Sequence, residues 1–225
     1  LAKYEPPVAT RVYAGNGALL AEFATQKRLF VPVKAMPPQL LYAFLSAEDK
    51  SFFTHPGVDP VALLRASVTN LAALGTGRRP IGASTITQQV AKNFLLSNEL
   101  SFDRKIKEAI LAIRMERAFS KQQILALYLN EIYLGYGSYG VAAAALNYFD
   151  KALDQLELHE MAYLAALPKA PSNYHPARRT KAALGRRNWV LRQMQENGYI
   201  TAQQTALAES KSLGVKKASG SDSAN

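Results

Sequence analysis

Cysteine is absent from the 225 residues, which removes disulfides, thiolate metal ligands and a cysteine nucleophile together. Histidine is scarce. Only His55, His159 and His175 offer imidazole, and no two of them share a helical turn, so no zinc site is expected. Long apolar runs are missing as well: none reaches the roughly 18–20 residues that cross a bilayer. Leu1 to Pro7 is polar and proline-rich, unlike a signal peptide. Acidic residues are outnumbered, 17 against 27 basic, for a net charge of +10. Such an excess suits an anionic partner, whether nucleic acid, anionic lipid or a phosphorylated substrate, although a plainly basic surface has the same composition.

What is present suffices for a core, because 48% of the residues are hydrophobic. Arg11–Ala14 and Ala18–Phe23 flank Asn16-Gly17, a turn pair that favours a β-hairpin, so residues 1–36 read as a hairpin segment. From Pro37-Pro38 onward the periodicity is helical, predicting helices over about 39–50, 60–74, 84–96, 102–118 and 121–134. Further helices are expected from about 156 to Pro168, over 177–197 and from Thr201. The helical domain then spans 37–210, and the Lys/Ser/Gly/Asp-rich residues 211–225 read as a disordered tail.

Three clusters carry chemistry. Leu41, Phe44 and Leu45 continue at three- and four-residue steps through Glu48 to Phe52, placing a carboxylate on an apolar stripe. Lost hydration raises such a group's pKa towards that of a general base, and neighbouring Asp49 pushes the same way. Taken alone, Glu48 also reads, and more readily, as a helix-end acid paired with Lys50 or His55. Arg104, Lys105 and Glu108 share a helical face, which suits a diphosphate or an ordinary surface pair. The run Gly82–Asn93 is dense in uncharged hydrogen-bonding side chains, with Lys92 one turn from Gln88 and Gln89. A helix N-terminus near Ser84 would add backbone donors for an anion, or simply be a capped end with a polar face.

In chain order, Glu48–Gly57 fits E-D-x-x-F-x-x-H-x-G, Gly82–Gln89 fits G-x-x-T-x-x-Q-Q, Arg104–Glu108 fits R-K-x-x-E and Lys121–Asn130 fits K-x-x-I-L-x-x-Y-L-N. Together they resemble the motifs of the peptidoglycan glycosyltransferase family, found in class A penicillin-binding proteins and monofunctional relatives. The likeness runs from about residue 10 to 205. The N-terminal hairpin, Leu167–Ser172 and Arg186-Arg187-Asn188 are similar to the 1a branch.

The resemblance implies a mainly α, lysozyme-like fold with a large helical lobe and a smaller, membrane-facing jaw at about 61–80. There Leu63, Leu64, Val68, Leu71 and Leu74, with Arg65, Arg78 and Arg79, suit an anionic bilayer, or form a core helix with a solvated loop. It implies lipid II and the growing glycan strand as substrates, with Glu48 as general base and Glu108 as second essential acid. Asp49, Phe52 and His55 would shape that centre. Ser84, Thr85, Gln89, Lys92 and Asn93 would meet sugar and phosphate, Arg104 and Lys105 would neutralise the diphosphate, and Lys169 and Ser172 would contact phosphate. Lys121, Tyr128 and Asn130 would support the cleft.

No dedicated metal cage or cofactor is expected; a magnesium or manganese ion would be held by the substrate's diphosphate. Moenomycin-type phosphoglycolipids are the implied inhibitors. The place implied is the outer face of the bacterial inner membrane, with an N-terminal anchor outside these residues. The S-x-x-K and K-T-G motifs of a transpeptidase do not occur, so the chain reads as a fragment of a bifunctional protein. Two rivals are weaker. A glycan-cleaving enzyme with Glu48 as acid would not need the cations at Lys92, Arg104 and Lys105. A nucleic-acid binder would show an interleaved basic-aromatic face, and none is found.

Overall fold

The computed structural model describes residues 10–13, 19–23, 30–73, 82–95 and 102–216, with side chains over 30–73, 82–93 and 103–216. These residues are mainly helical. The chain divides into two compact units, Leu45–Tyr128 and Leu1–Phe44 with Leu129–Asn225.

The first unit holds the end of α1 (Pro38–Glu48), α2 (Pro60–Ala72), α3 (Ile86–Leu95), α4 (Phe102–Ala118) and most of α5 (Lys121–Glu131). Its core joins Ile86, Val90 and Ala91 of α3 to Ala112 and Met115 of α4, all buried. The α3 helix begins at Ile86, two residues later than its sequence pattern predicts, because Thr85 closes a capping box. The Thr85 hydroxyl accepts from Gln88 N–H at 3.1 Å, and the Gln88 side chain accepts from Thr85 N–H at 3.0 Å. Asp59 caps α2 by accepting from Ala62 N–H at 2.9 Å, with Pro60 as the first helical residue.

That helix buries none of its residues, so the reading of it as a core helix fails. Leu64, Val68 and Leu71 are 68%, 60% and 69% exposed. Residues 74–81, the rest of the expected jaw, lie outside the described residues. Gly57 has φ +98°, and a Cβ there would sit 2.8 Å from the Ala112 backbone. Only glycine lets the 49–59 loop lie this close on α4.

In the second unit β1 (Thr10–Tyr13) pairs antiparallel with β2 (Leu19–Phe23), with a register irregularity between Val12 and Tyr13. The Asn16-Gly17 turn lies outside the described residues. The alanine-rich α6 (Val141–Phe149) and α7 (Leu158–Ala166) are buried along nearly their whole length, and α8 (Thr180–Glu196) and α9 (Ala202–Ser210) pack around α7. Two helix ends differ from the sequence pattern for local reasons. The α5 helix stops at Glu131 because Tyr133 and Tyr139 pair as a β-bridge. The α8 helix starts at Thr180 because the His175 ring first draws in Ala177 N–H and Arg178 N–H.

The expected tail from residue 211 is corrected over 211–216. Arg187, fully buried, donates to the carbonyls of Glu209, Lys211 and Ser212 at 3.3, 2.8 and 3.2 Å. Leu213 is buried, and Lys216 N–H bonds the Tyr148 carbonyl at 2.9 Å. A polar composition hid one apolar anchor and a buried guanidinium that satisfies the carbonyls after α9. Residues 217–225 lie outside the described residues.

Candidate active site

Glu48 is the last residue of α1, half-buried, and its Oε2 accepts from the Gln89 amide at 3.0 Å. One residue later the helix has ended, so the Asp49 side chain turns elsewhere. Its carboxylate accepts from Ile86 N–H at 3.0 Å and from His55 Nε2 at 2.9 and 3.0 Å. His55 Nδ1 accepts from Gly57 N–H at 3.1 Å, which assigns the proton to Nε2. Asp49, Phe52, His55 and Thr85 are all buried. The Thr85 hydroxyl also donates to the Gly57 carbonyl at 2.6 Å. Asp49, His55 and Thr85 thus tie the 49–57 loop to the start of α3.

Of the two readings of the α3 N-terminus, donors for an anion or a capped end, the capped end describes two of its donors. Its Ile86 N–H goes to Asp49 and its Gln88 N–H to Thr85. Ser84, just ahead of the cap, is partly exposed and instead accepts from Lys105 Nζ at 2.8 Å.

The cationic face of α4 forms as the four- and three-residue spacings require. Glu108 is buried, with Arg104 Nε 3.1 Å from one carboxylate oxygen and Lys105 Nζ 2.5 Å from the other. Two cations against one acid leave a local surplus of positive charge, and the Lys105 side chain keeps 47% of its exposure. Lys92 and Asn93 are exposed on α3, three and four residues past Gln89.

A cavity of about 230 Å³ brings these groups together, with Glu48, Asp49, Ser84 and Thr85 all on its wall. Through Gln89 it reaches the α3 face, and through Ser84 it reaches Lys105 and Glu108. Tyr128 is buried within reach of the charges of Glu48 and Asp49. Burial, and then the charges of Glu48 and Asp49, hold its hydroxyl pKa well above the ordinary value, so it stays neutral. Lys169 and Ser172 belong to the other unit, exposed around the turn Pro171–Tyr174. Among the described residues no three His, Asp or Glu gather as a metal-binding cluster, and Asp49 and His55 satisfy each other.

One residue was missed in the sequence. Glu116 Oε1 accepts from the Thr87 hydroxyl at 2.6 Å and from Lys121 Nζ at 2.7 Å. Lys121 also donates to the His55 carbonyl at 2.7 Å and sits 4.5 Å above the Phe52 ring. Lys121 was legible as support for the cleft. Glu116, between basic neighbours on an ordinary helix face, gave no signal. The Asp59 cap could have been found, because Asp followed by Pro marks a helix start.

A family model described as Transglycosylase matches residues 16–195. The chain is 52% identical over 201 residues to penicillin-binding protein 1A of Rickettsia felis, covering 89% of this chain and 25% of that protein. It is 49% identical over 197 residues to penicillin-binding protein 1A of Escherichia coli, covering 88% and 23%. The crystal structure of penicillin-binding protein 1A from Haemophilus influenzae matches with a TM-score of 0.54 at 29% identity, over 95% of this chain and 22% of that one. The chain therefore spans about a quarter of the length of these relatives. With the family model matching well over half of its residues, the chain belongs to the transglycosylase family, as the glycosyltransferase domain of class A penicillin-binding proteins.

Proposed function

We propose that this domain polymerises lipid II into β-1,4-linked glycan strands, inverting the donor anomeric carbon and releasing polyprenyl diphosphate. Glu48 takes the proton from the acceptor sugar's 4-hydroxyl. That oxygen bonds to the anomeric carbon as the carbon–oxygen bond to the diphosphate breaks, and the diphosphate leaves with the electron pair. Arg104 and Lys105 receive the growing negative charge, and Glu108 holds both cations in place. Fixed cations act strongly in a site that excludes water, because they need no reorganisation as charge moves. Any magnesium or manganese ion would travel on the diphosphate oxygens.

A single observation carries this reading: one cavity is walled by both Glu48 and Ser84, and Ser84 holds the Lys105 ammonium at 2.8 Å. Asp49, His55, Phe52 and Thr85 then act as positioning residues. Gln89, Lys92, Asn93 and Ser84 meet sugar and phosphate, and Lys169 and Ser172 contact phosphate. The apolar exposure of α2 supports a jaw resting in an anionic bilayer, within a lysozyme-like, two-lobed fold at the outer face of the inner membrane. Moenomycin, as a mimic of the growing strand, should bind the same groove and raise the melting temperature.

Incubation with labelled lipid II tests the proposal. Long glycan chains are the expected product. Breakdown of finished cell wall without chain growth would overturn the proposal in favour of a hydrolase.

A further inference from the structure

Two cations on the wall of the Glu48 cavity have no role in the reaction as described above. Lys50 and Arg65 both line it, Lys50 just past α1 and Arg65 on α2. Among the described residues, no carboxylate pairs with either. The acids of the same wall, in contrast, are already engaged. Glu48 takes the Gln89 amide, and Asp49 takes His55 and Ile86 N–H. Asp59 takes Ala62 N–H and the Ser51 hydroxyl, and these bonds, the Ser51 one foremost, hold it ionised below the ordinary carboxylate range. Arg104 and Lys105 are committed to Glu108. Among the described residues, Lys50 and Arg65 are therefore cations of the cavity wall that no acid takes up.

Resting on the reading of Glu48 as base, we infer that Lys50 and Arg65 form an anion-binding wall for the acceptor substrate. The reaction expels only the donor's diphosphate. The acceptor, whose 4-hydroxyl must meet Glu48, keeps its own diphosphate and its peptide carboxylates throughout. A cationic wall beside the base holds this second anion without stabilising the leaving group. Its contribution is equal in the ground state and the transition state, so it lowers KM and leaves kcat alone. The wall also gives Arg65 a role separate from bilayer contact.

The test measures initial rates of polymerisation against lipid II concentration for the wild-type domain and for Arg65→Gln, Lys50→Gln and the double variant. An exposed charge contact of this kind predicts a KM rise of about threefold for each single change and about tenfold for both, with kcat within about twofold. Arg65→Lys should recover most of the loss. Repeating the series on lipid II with amidated stem carboxylates identifies the anion. A difference that vanishes assigns the peptide carboxylates, and one that persists assigns the diphosphate. An unchanged KM in the double variant, or a fall in kcat at constant KM, overturns the inference. Should the wild-type domain make no chains at all, it is the glycosyltransferase reading that fails.

Discussion

Charge is used in opposite ways in the two units. In Leu45–Tyr128 two charged groups at the site keep one side open: Glu48 is half-buried, and Lys105 is 47% exposed while holding Ser84 and Glu108. In the other unit, charge is turned inward onto the backbone. Arg187 is fully buried on three carbonyls, and buried Glu160 accepts from Glu157 N–H at 2.8 Å and from Lys151 at 2.8 and 2.9 Å. Burial lowers the Arg187 pKa, opposed by Glu209, so the guanidinium bears a desolvation cost that its hydrogen bonds must offset. The difference separates two kinds of polar residue. One keeps an open face at the cavity and the other holds the chain.

The sharpest way to break this contrast is to exchange the consequences. Glu48→Gln keeps the shape and the Gln89 neighbour but removes the base. Polymerisation should fall by about 10²–10⁴-fold, the usual contribution of a general base, with the melting temperature nearly unchanged. Strand synthesis near the wild-type rate would remove Glu48 from the mechanism. Arg187→Met should do the reverse. Three carbonyls lose a charged donor, costing about 3 kcal/mol, and Tm should drop by roughly 6–12 °C for a chain of this size. The rate per folded molecule should hold. A variant that melts normally would show that the 211–216 segment is held without Arg187.

These two positions were unequally legible in the sequence. Glu48 announced itself because a carboxylate interrupts an apolar stripe, and stripe members Phe44, Leu45 and Phe52 are indeed buried. Helix periodicity was equally readable, since α2, α4 and the start of α9 fall within a residue or two of their sequence boundaries. Arg187 was seen only as part of a motif; its partners are backbone carbonyls 22 to 25 residues away, which no side-chain pattern encodes. Glu116 was silent for the same reason, because its donors Thr87 and Lys121 come from two other helices. Thr85 showed its identity but not its orientation. A Thr with Gln three residues on is a capping box first, and the box turns the hydroxyl away from solvent.

A smaller effect sharpens the contrast within the first unit. Lys105→Ala removes one of two cations from Glu108 and releases Ser84, while Arg104 still covers the acid. Because one of several charges on the leaving group is lost, kcat/KM should fall by about 10–100-fold, well short of the loss at Glu48. Substrate binding should weaken alongside turnover. Unchanged kinetics would refute the phosphate role of Lys105 and leave it a surface lysine.

The smallest expected effect belongs to the second unit and is read by pH. His159 opens α7 beneath the 211–216 segment, where a Cβ on Gly214 would lie 3.3 Å from its Nε2. Burial depresses its pKa below 6.5, with Arg187 and Lys211 adding to the shift and Glu160 and Glu157 opposing it. A histidine depressed on folding binds fewer protons folded than unfolded, so stability rises with pH across the gap. Its contribution is complete above about pH 6.5, the unfolded value, and is lost as pH falls from there towards the folded pKa. Tm measured from pH 7.5 down to 5 should therefore slope downward, and His159→Gln should flatten that slope without altering Tm much at pH 7.5. A slope of equal steepness in the variant would assign the loss to other groups. It would also show that this inward-facing histidine is not what couples the second unit's packing to pH.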